Sequence, residues 1–191
     1  MNMKEDIQNM LLESAETKKI VADTLTKEIE DVTEILIQAF RNKHRLYTCG
    51  NGGSTCDAMH FAEELVARYS MERPGLPAQA LTDASTITCW GNDYNFETIF
   101  SRQVQAYGRK GDVLVGISTS GNSQNIIKAV EEAKKIGIVT IGLLGKGGGR
   151  LKDICDISII VPSNNTARIQ EAHIAIIHVI CDILERELYA V

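Results

Sequence analysis

With 191 residues, 44% of them hydrophobic and 24% charged, the chain is long enough to bury one core of ordinary size and too balanced in composition to be disordered. Aromatic residues make up only 5%, so aliphatic side chains must fill that core. The formal net charge of −5 argues against nucleic-acid or anionic-membrane binding, which needs a basic face, but not against a phosphorylated small molecule, which backbone amides at a helix start bind locally.

Residues 1–41, approximately, read as a helical extension. Ile7, Met10, Leu11 and Ala15 form one apolar stripe. Leu25, Ile29, Val32, Ile35, Leu36, Ala39 and Phe40 form a second, opposite Lys27, Glu28, Glu30, Asp31 and Glu34. These stripes need cover, part of which is expected from another subunit. The period then changes. Residues 45–49 are a short extended run that stops at Gly50-Asn51-Gly52-Gly53-Ser54, and a helix follows to about Tyr69. The same grammar recurs: residues 112–117 are an apolar strand ending in a Ser/Thr turn, with helix over 125–135. Residues 139–144 and 157–161 are further strands, 78–81 a shorter one, and 166–189 a last helix. Residues 145–149 read as a plain loop. Strands alternating with helices predict an α/β fold, a three-layer sandwich around a parallel sheet, in one compact domain spanning 1–191. Ligands bind such sheets beyond the carboxyl ends of the strands, where both polar turns fall. Five cysteines without a CxxC pair, a polar amphipathic start and no apolar run near ~20 residues point to a reduced cytoplasmic setting with no membrane span.

The turn Ser118-Thr119-Ser120-Gly121-Asn122-Ser123 clusters four hydroxyls between a buried strand and a helix start, where unpaired amides and the positive dipole end converge. One hydroxyl suffices for an N-cap, so four favour a phosphate monoester. The glycine turn at 50–53 lets backbone approach a ligand, although it matches neither a Walker loop nor GxGxxG. Asp57, His60 and Glu64 share one face of the helix that follows, and Arg68 is four residues beyond Glu64. They read either as a solvated face with an ion pair or as a carboxylate base beside a histidine, able to share a divalent metal. On the last helix His178 interrupts an apolar stripe, as a core histidine or as a site residue. Gln170 and His178 lie eight residues, about 12 Å, apart, too far to meet one metal from one helix. His178 is therefore expected to complete its site from a neighbouring subunit. Gly91-Asn92-Asp93 looks like an ordinary turn.

Taken together, Cys49-Gly50-Asn51-Gly52-Gly53-Ser54, the stretch from Cys56 to Leu65, Gly91-Asn92-Asp93, the run Gly116 to Ser123 and Ala167-Arg168-Ile169-Gln170-Glu171 closely resemble the phosphoheptose isomerases of the sugar isomerase (SIS) fold, a doubly wound flavodoxin-like sandwich. The resemblance implies interconversion of D-sedoheptulose 7-phosphate and D-glycero-D-manno-heptose 7-phosphate, the first step of nucleotide-activated heptose synthesis for lipopolysaccharide core or capsule. It implies a homotetramer with active sites between subunits, Glu64 and His178 as the catalytic pair, and one zinc per subunit on His60, Glu64, Gln170 and His178, with no nucleotide cofactor. It also implies sugar-phosphate contacts from Asn51, Gly52, Gly53, Glu64, Asn92, Asp93, Ser118, Thr119, Ser120, Ser123 and Gln170. Ala167 departs from members that carry Asp there. The alternative is a non-catalytic SIS paralogue that binds the replication initiator DnaA. That paralogue lacks the catalytic Glu and His, whereas this chain keeps both.

Overall fold

In the computed structural model, which describes residues 2–189, helix and strand alternate as the periodicity predicts. The leading helical stretch is two helices, α1 (Met3–Thr24) and α2 (Thr26–Arg41), broken at Leu25. Thr24 and Thr26 on either side turn their hydroxyls back onto the carbonyls of Ile20 and Ala22, a bonding mode that bends helices. The chain continues through β1 (Leu46–Gly50), α3 (Gly53–Val66), β2 (Ala78–Ala80), α4 (Ala84–Asp93), α5 (Ile99–Tyr107), β3 (Val113–Ser118), α6 (Gln124–Ile136), β4 (Val139–Leu144), α7 (Leu151–Ile154), β5 (Ile157–Ile160) and α8 (Thr166–Tyr189).

The five strands form one parallel sheet in the order β2-β1-β3-β4-β5. Strand order reverses between β1 and β3, so their carboxyl ends open a crevice at the topological switch point. The register pairs Gly50 with Ile117, which brings the glycine turn and the hydroxyl turn level. Alternation along β3 separates two cores. Val113, Val115 and Ile117 face α2, α3 and α8, packing with Leu36, Phe61, Leu65, Ile176 and Ile180. Leu114 faces the other side with Tyr47, Phe100, Val104, Ile126 and Val130, from β1, α5 and α6. The sandwich therefore has three layers, as expected. The second stripe behaves as read, with Ile29, Val32, Leu36, Ala39 and Phe40 buried, whereas Ile7, Met10 and Leu11 of α1 stand exposed by 53%, 60% and 67%. Among the described residues no helix is long and apolar enough to cross a membrane.

Three expectations change. Helix α3 stops at Val66, not near Tyr69, because the Arg73 guanidinium takes the carbonyls of Glu64 and Leu65, and Glu185 takes the amides of Tyr69, Ser70 and Met71. Gly91-Asn92-Asp93 is not a turn but the last turn of α4, a helix capped at its start by Asp83, whose carboxylate accepts the Thr86 amide at 2.7 Å. The plain loop at 145–149 packs on the hydroxyl turn, with the backbone of Gly148 and Gly149 against Gly121, and the two residues after it bond there: Leu151 N donates to Gly121 O at 2.9 Å and Arg150 N to the Asn122 side chain at 3.0 Å.

The core histidine of α8 is His173 and not His178. Its Nε2 donates to Leu144 O at 3.0 Å, and the residue is fully enclosed. Burial drives its pKa down to about 4, the carbonyl contact opposing only in part. The unfolded chain thus binds a proton near pH 6.5 that the folded chain refuses until about pH 4. Stability is full above the higher value and falls by about 3 kcal/mol as pH drops to the lower. Urea denaturation at pH 7.5 and 4.5 should show this loss, and His173→Gln should remove most of it; an unchanged acid limb in the variant would contradict the assignment.

Candidate active site

The hydroxyl turn is assembled rather than merely hydroxyl-rich. Ser118 Oγ lies 3.0 Å from Ser123 Oγ and 3.5 Å from Ser120 Oγ, and it accepts the Gly121 amide at 3.1 Å. Ser123 is the N-cap residue of α6, yet its hydroxyl makes no cap bond and turns to Ser118 instead. The first-turn amides of α6 are thereby left without a side-chain acceptor, beside clustered hydroxyl donors and the positive end of a 13-residue helix. Gly121 has φ +65°, and a Cβ there would collide with the backbone of Gly148, so the loop at 145–149 can buttress the turn only because the residue is glycine.

The glycine turn at the end of β1 joins this structure through a reciprocal carboxamide pair. Asn51 Nδ2 donates to Asn125 Oδ1 at 2.9 Å, and Asn125 Nδ2 returns the bond to Asn51 Oδ1 at 2.8 Å. A cavity of about 270 Å³ opens there between Asn51, Gly52, Thr55, Thr82 and Phe96. A larger groove, about 690 Å³, lies elsewhere, between α1, α2 and α8. Its walls are mainly Val21, Ile29, Ile37, Ala172, Ile176 and Val179, which suits burial of apolar surface more than chemistry on a sugar.

Helices α3 and α8 run side by side in the same sense. Gly53 meets Gln170, and a Cβ on Gly53 would collide with the Gln170 carboxamide. Two turns further on, His60 meets His178, with Nε2 atoms 3.3 Å apart. Glu64 Oε1 lies 2.9 Å from His60 Nε2, and the ligating atoms of His60, Glu64 and His178 all fall within 4.8 Å of one another. His60, Glu64 and His178 are thus one cluster within one chain, and His178 needs no neighbouring subunit to reach the other two. Gln170 is the one held apart, at the glycine-turn end. Arg68 does not pair with Glu64 but lies 3.6 Å from Glu72. Asn92 and Asp93 are exposed at the end of α4, bonded to each other at 2.9 Å.

Against known proteins, the SIS domain family matches residues 11–145. A phosphoheptose isomerase of Trichlorobacter lovleyi is 55% identical over 87% of this chain and 86% of its own, and one of Nitratiruptor sp. is 52% identical over 96% and 98%. The solved phosphoheptose isomerase of Francisella tularensis superposes with a TM-score of 0.94 at 40% identity, covering 97% of this chain and all of that one. The chain belongs to the phosphoheptose isomerase family.

Within that family frame the cluster can be tested against a metal. A tetrahedral ion with ligands at about 2.0–2.1 Å sets its ligand atoms roughly 3.3 Å apart. The separations of 3.3 Å between the two imidazoles and 2.9 Å between His60 and Glu64 fit that spacing, and two imidazoles with a carboxylate suit a divalent ion. The rest of the site was only partly legible. Asn125, Tyr69, whose ring lies 5.8 Å from that of His178, and the loop at 145–149 carried no motif of their own, and only the fold brings them in.

Asp57, on the same face of α3, has a buried Oδ2 without a partner. Burial pushes its carboxyl up to about 6, against the opposing pull of His60. A folded pKa above the unfolded one favours the protein at low pH and costs stability once pH rises through 6. In chelator-treated protein, Asp57→Asn should therefore raise Tm by about 2–4 °C at pH 8 and by less at pH 4; a pH-independent change would refute this reading of the carboxylate.

Proposed function

We propose that this chain interconverts D-sedoheptulose 7-phosphate and D-glycero-D-manno-heptose 7-phosphate through an enediol(ate), the entry step of nucleotide-activated heptose synthesis. The observation that carries the reading is the assembled His60–Glu64–His178 cluster, in a chain 52% identical over 96% of its length to a phosphoheptose isomerase. Isomerisation moves a proton between C1 and C2. The Glu64 carboxylate takes and returns the carbon-bound proton, and the His178 imidazole moves protons on oxygen. The hydroxyls of Ser118, Thr119, Ser120 and Ser123, with the open amides of α6, hold the phosphate, so binding energy at the far end of the substrate positions the reacting carbons. Asn51, Gly52, Gly53, Asn92, Asp93 and Gln170 contact the sugar. The residue pair whose loss marks the non-catalytic SIS paralogue is present here and assembled, which favours an enzyme.

A zinc ion on His60, Glu64 and His178, one per subunit, would polarise the carbonyl and steady the enediolate. Helix geometry supports a site shared between subunits. Glu64 lies eleven residues beyond Gly53 on α3, about 16 Å along the axis from the turn end. Seven bonds from C2 to the phosphorus span roughly 8–9 Å at about 1.2 Å per bond. That helical distance, longer than the substrate, supports a reaction that joins the turn and Gln170 of one subunit to the cluster of another, with Gln170 as fourth zinc ligand from across the interface. The bare stripe of α1 and the apolar groove beside α2 and α8 give a homotetramer the surface it needs. All five cysteines are free thiols, in keeping with a cytoplasmic enzyme, and residues 1–191 act as one SIS domain with 1–41 as its helical extension.

Purified protein incubated with sedoheptulose 7-phosphate and followed by NMR should form the aldose, and a zinc chelator should suppress it; no product under either condition would refute the assignment. Glu64→Gln should lower kcat by about 10²–10⁴-fold while leaving substrate binding intact. The shared site has its own check. Glu64→Gln and a Ser118→Ala/Ser120→Ala double variant, each inactive, should regain activity when dissociated and reassembled together, to on the order of a quarter of wild type, the share of sites with both halves intact. Absence of any regain would place both halves in one chain.

A further inference from the structure

Outside the reacting cluster, Arg73 and Glu185 form an ion pair deep in the protein, with side chains each 1% exposed. Arg73 Nε donates to Glu185 Oε1 at 2.9 Å. Its Nη2 donates to the Glu64 carbonyl at 2.8 Å, and its Nη1 to the carbonyls of Leu65 at 2.8 Å and Pro74 at 3.2 Å. Glu185 in turn accepts the amides of Tyr69 at 2.9 Å, Ser70 at 2.9 Å and Met71 at 2.7 Å. Burying such a pair is costly, and well-packed apolar side chains often do as well for stability alone. What the pair touches is therefore informative. Apart from the bond between the two side chains, every bond ends on backbone between Glu64 and Pro74, the end of the catalytic helix and the segment leaving it.

That end is where a proton-transferring carboxylate is hardest to hold. Glu64 sits in the last turn of α3, whose carbonyls have no intrahelical partners and whose residues fray unless something takes those carbonyls. Arg73 takes the carbonyl of Glu64 itself. Glu185 lies seven residues beyond His178 on α8, about 10 Å along nearly the same face. The loop that Glu185 grips carries Tyr69, whose ring centroid lies 5.8 Å from that of His178, while the His60 ring lies 5.1 Å from it. One buried pair thus ties the backbone of the base, an aromatic neighbour of the histidine and the helix bearing that histidine into a single unit.

We propose that Arg73 and Glu185 are positioning residues for the isomerisation, fixing the end of α3 on α8 so that the Glu64 carboxylate and the His178 ring meet at their working separation. The inference rests on the roles given to Glu64 and His178 above. Two variants test it in zinc-supplemented enzyme. Arg73→Lys keeps the charge but cannot reach Glu185 and the helix-end carbonyls together. Arg73→Met/Glu185→Leu fills the space with apolar groups and keeps the fold if the single variant does not. Each should lower kcat about 10- to 100-fold with KM within about threefold, because the phosphate turn is untouched. Adding Glu64→Gln to either should cost about 10- to 100-fold less than it does in the wild type, since that part of the base's contribution is already lost. Folded variants with kcat within twofold of wild type, or a full Glu64→Gln penalty in the variant background, would overturn the positioning role. A wild-type chain that turns over no substrate would sink the reaction assignment, and this inference with it; normal wild-type turnover beside unaffected variants sinks the positioning role alone.

Discussion

Helices α3 and α8 have to run in the same direction, and the chemistry depends on it. Each follows a strand of an all-parallel sheet and packs back over the same face, so both start at the carboxyl end and travel toward the amino end. Parallel neighbours keep their sequence offsets level. Gly53 stands beside Gln170, His60 beside His178, and Tyr69 beside Glu185. Antiparallel helices would have placed His178 near the glycine turn and left Glu64 with no imidazole partner from α8. The sheet connectivity, more than any local contact, decides which side chains share a site.

The same connectivity separates the site into two ends. At the switch point between β1 and β3 sit the hydroxyl turn, the uncapped start of α6 and the Asn51–Asn125 pair. Two turns down α3 sits the histidine–carboxylate cluster. The proposed phosphate position is at the first end, whose donors are hydroxyls and amides, with a reach that is local and indifferent to the acidic net charge. The second end has two imidazoles and one carboxylate, a set suited to proton transfer and to a divalent ion. The apolar stripe of α1 and the groove beside α8 are open apolar surface, which the proposed assembly would cover.

Much of the fold could be read from periodicity. The strands at 46–50, 113–118, 139–144 and 157–160 fall within a residue or so of the apolar runs that predicted them, because buried parallel strands are continuous apolar segments bounded by polar turns. α4 and α5 were missed. None of the ten residues of α4 is buried, so it prints no stripe in the sequence, and its only local signal is the Asp83 cap. The periodicity runs α3 three residues too long because its end is set by Arg73 and by Glu185, 112 residues beyond Arg73 in the chain.

By itself the sequence determined the α/β architecture, the two polar strand ends and the residue types able to act, because these depend on local periodicity and on motifs within a few residues. It also set Gln170 and His178 about 12 Å apart, a fixed property of any helix. Only the tertiary structure decided which of the two joins His60 and Glu64. Sequence spacing measures distance along one helix, whereas partnership across two helices depends on their direction and register. That register made His178 the partner of the α3 pair within its own chain, left Gln170 at the glycine-turn end, and turned an unremarked arginine and a distant glutamate into the clasp that holds them.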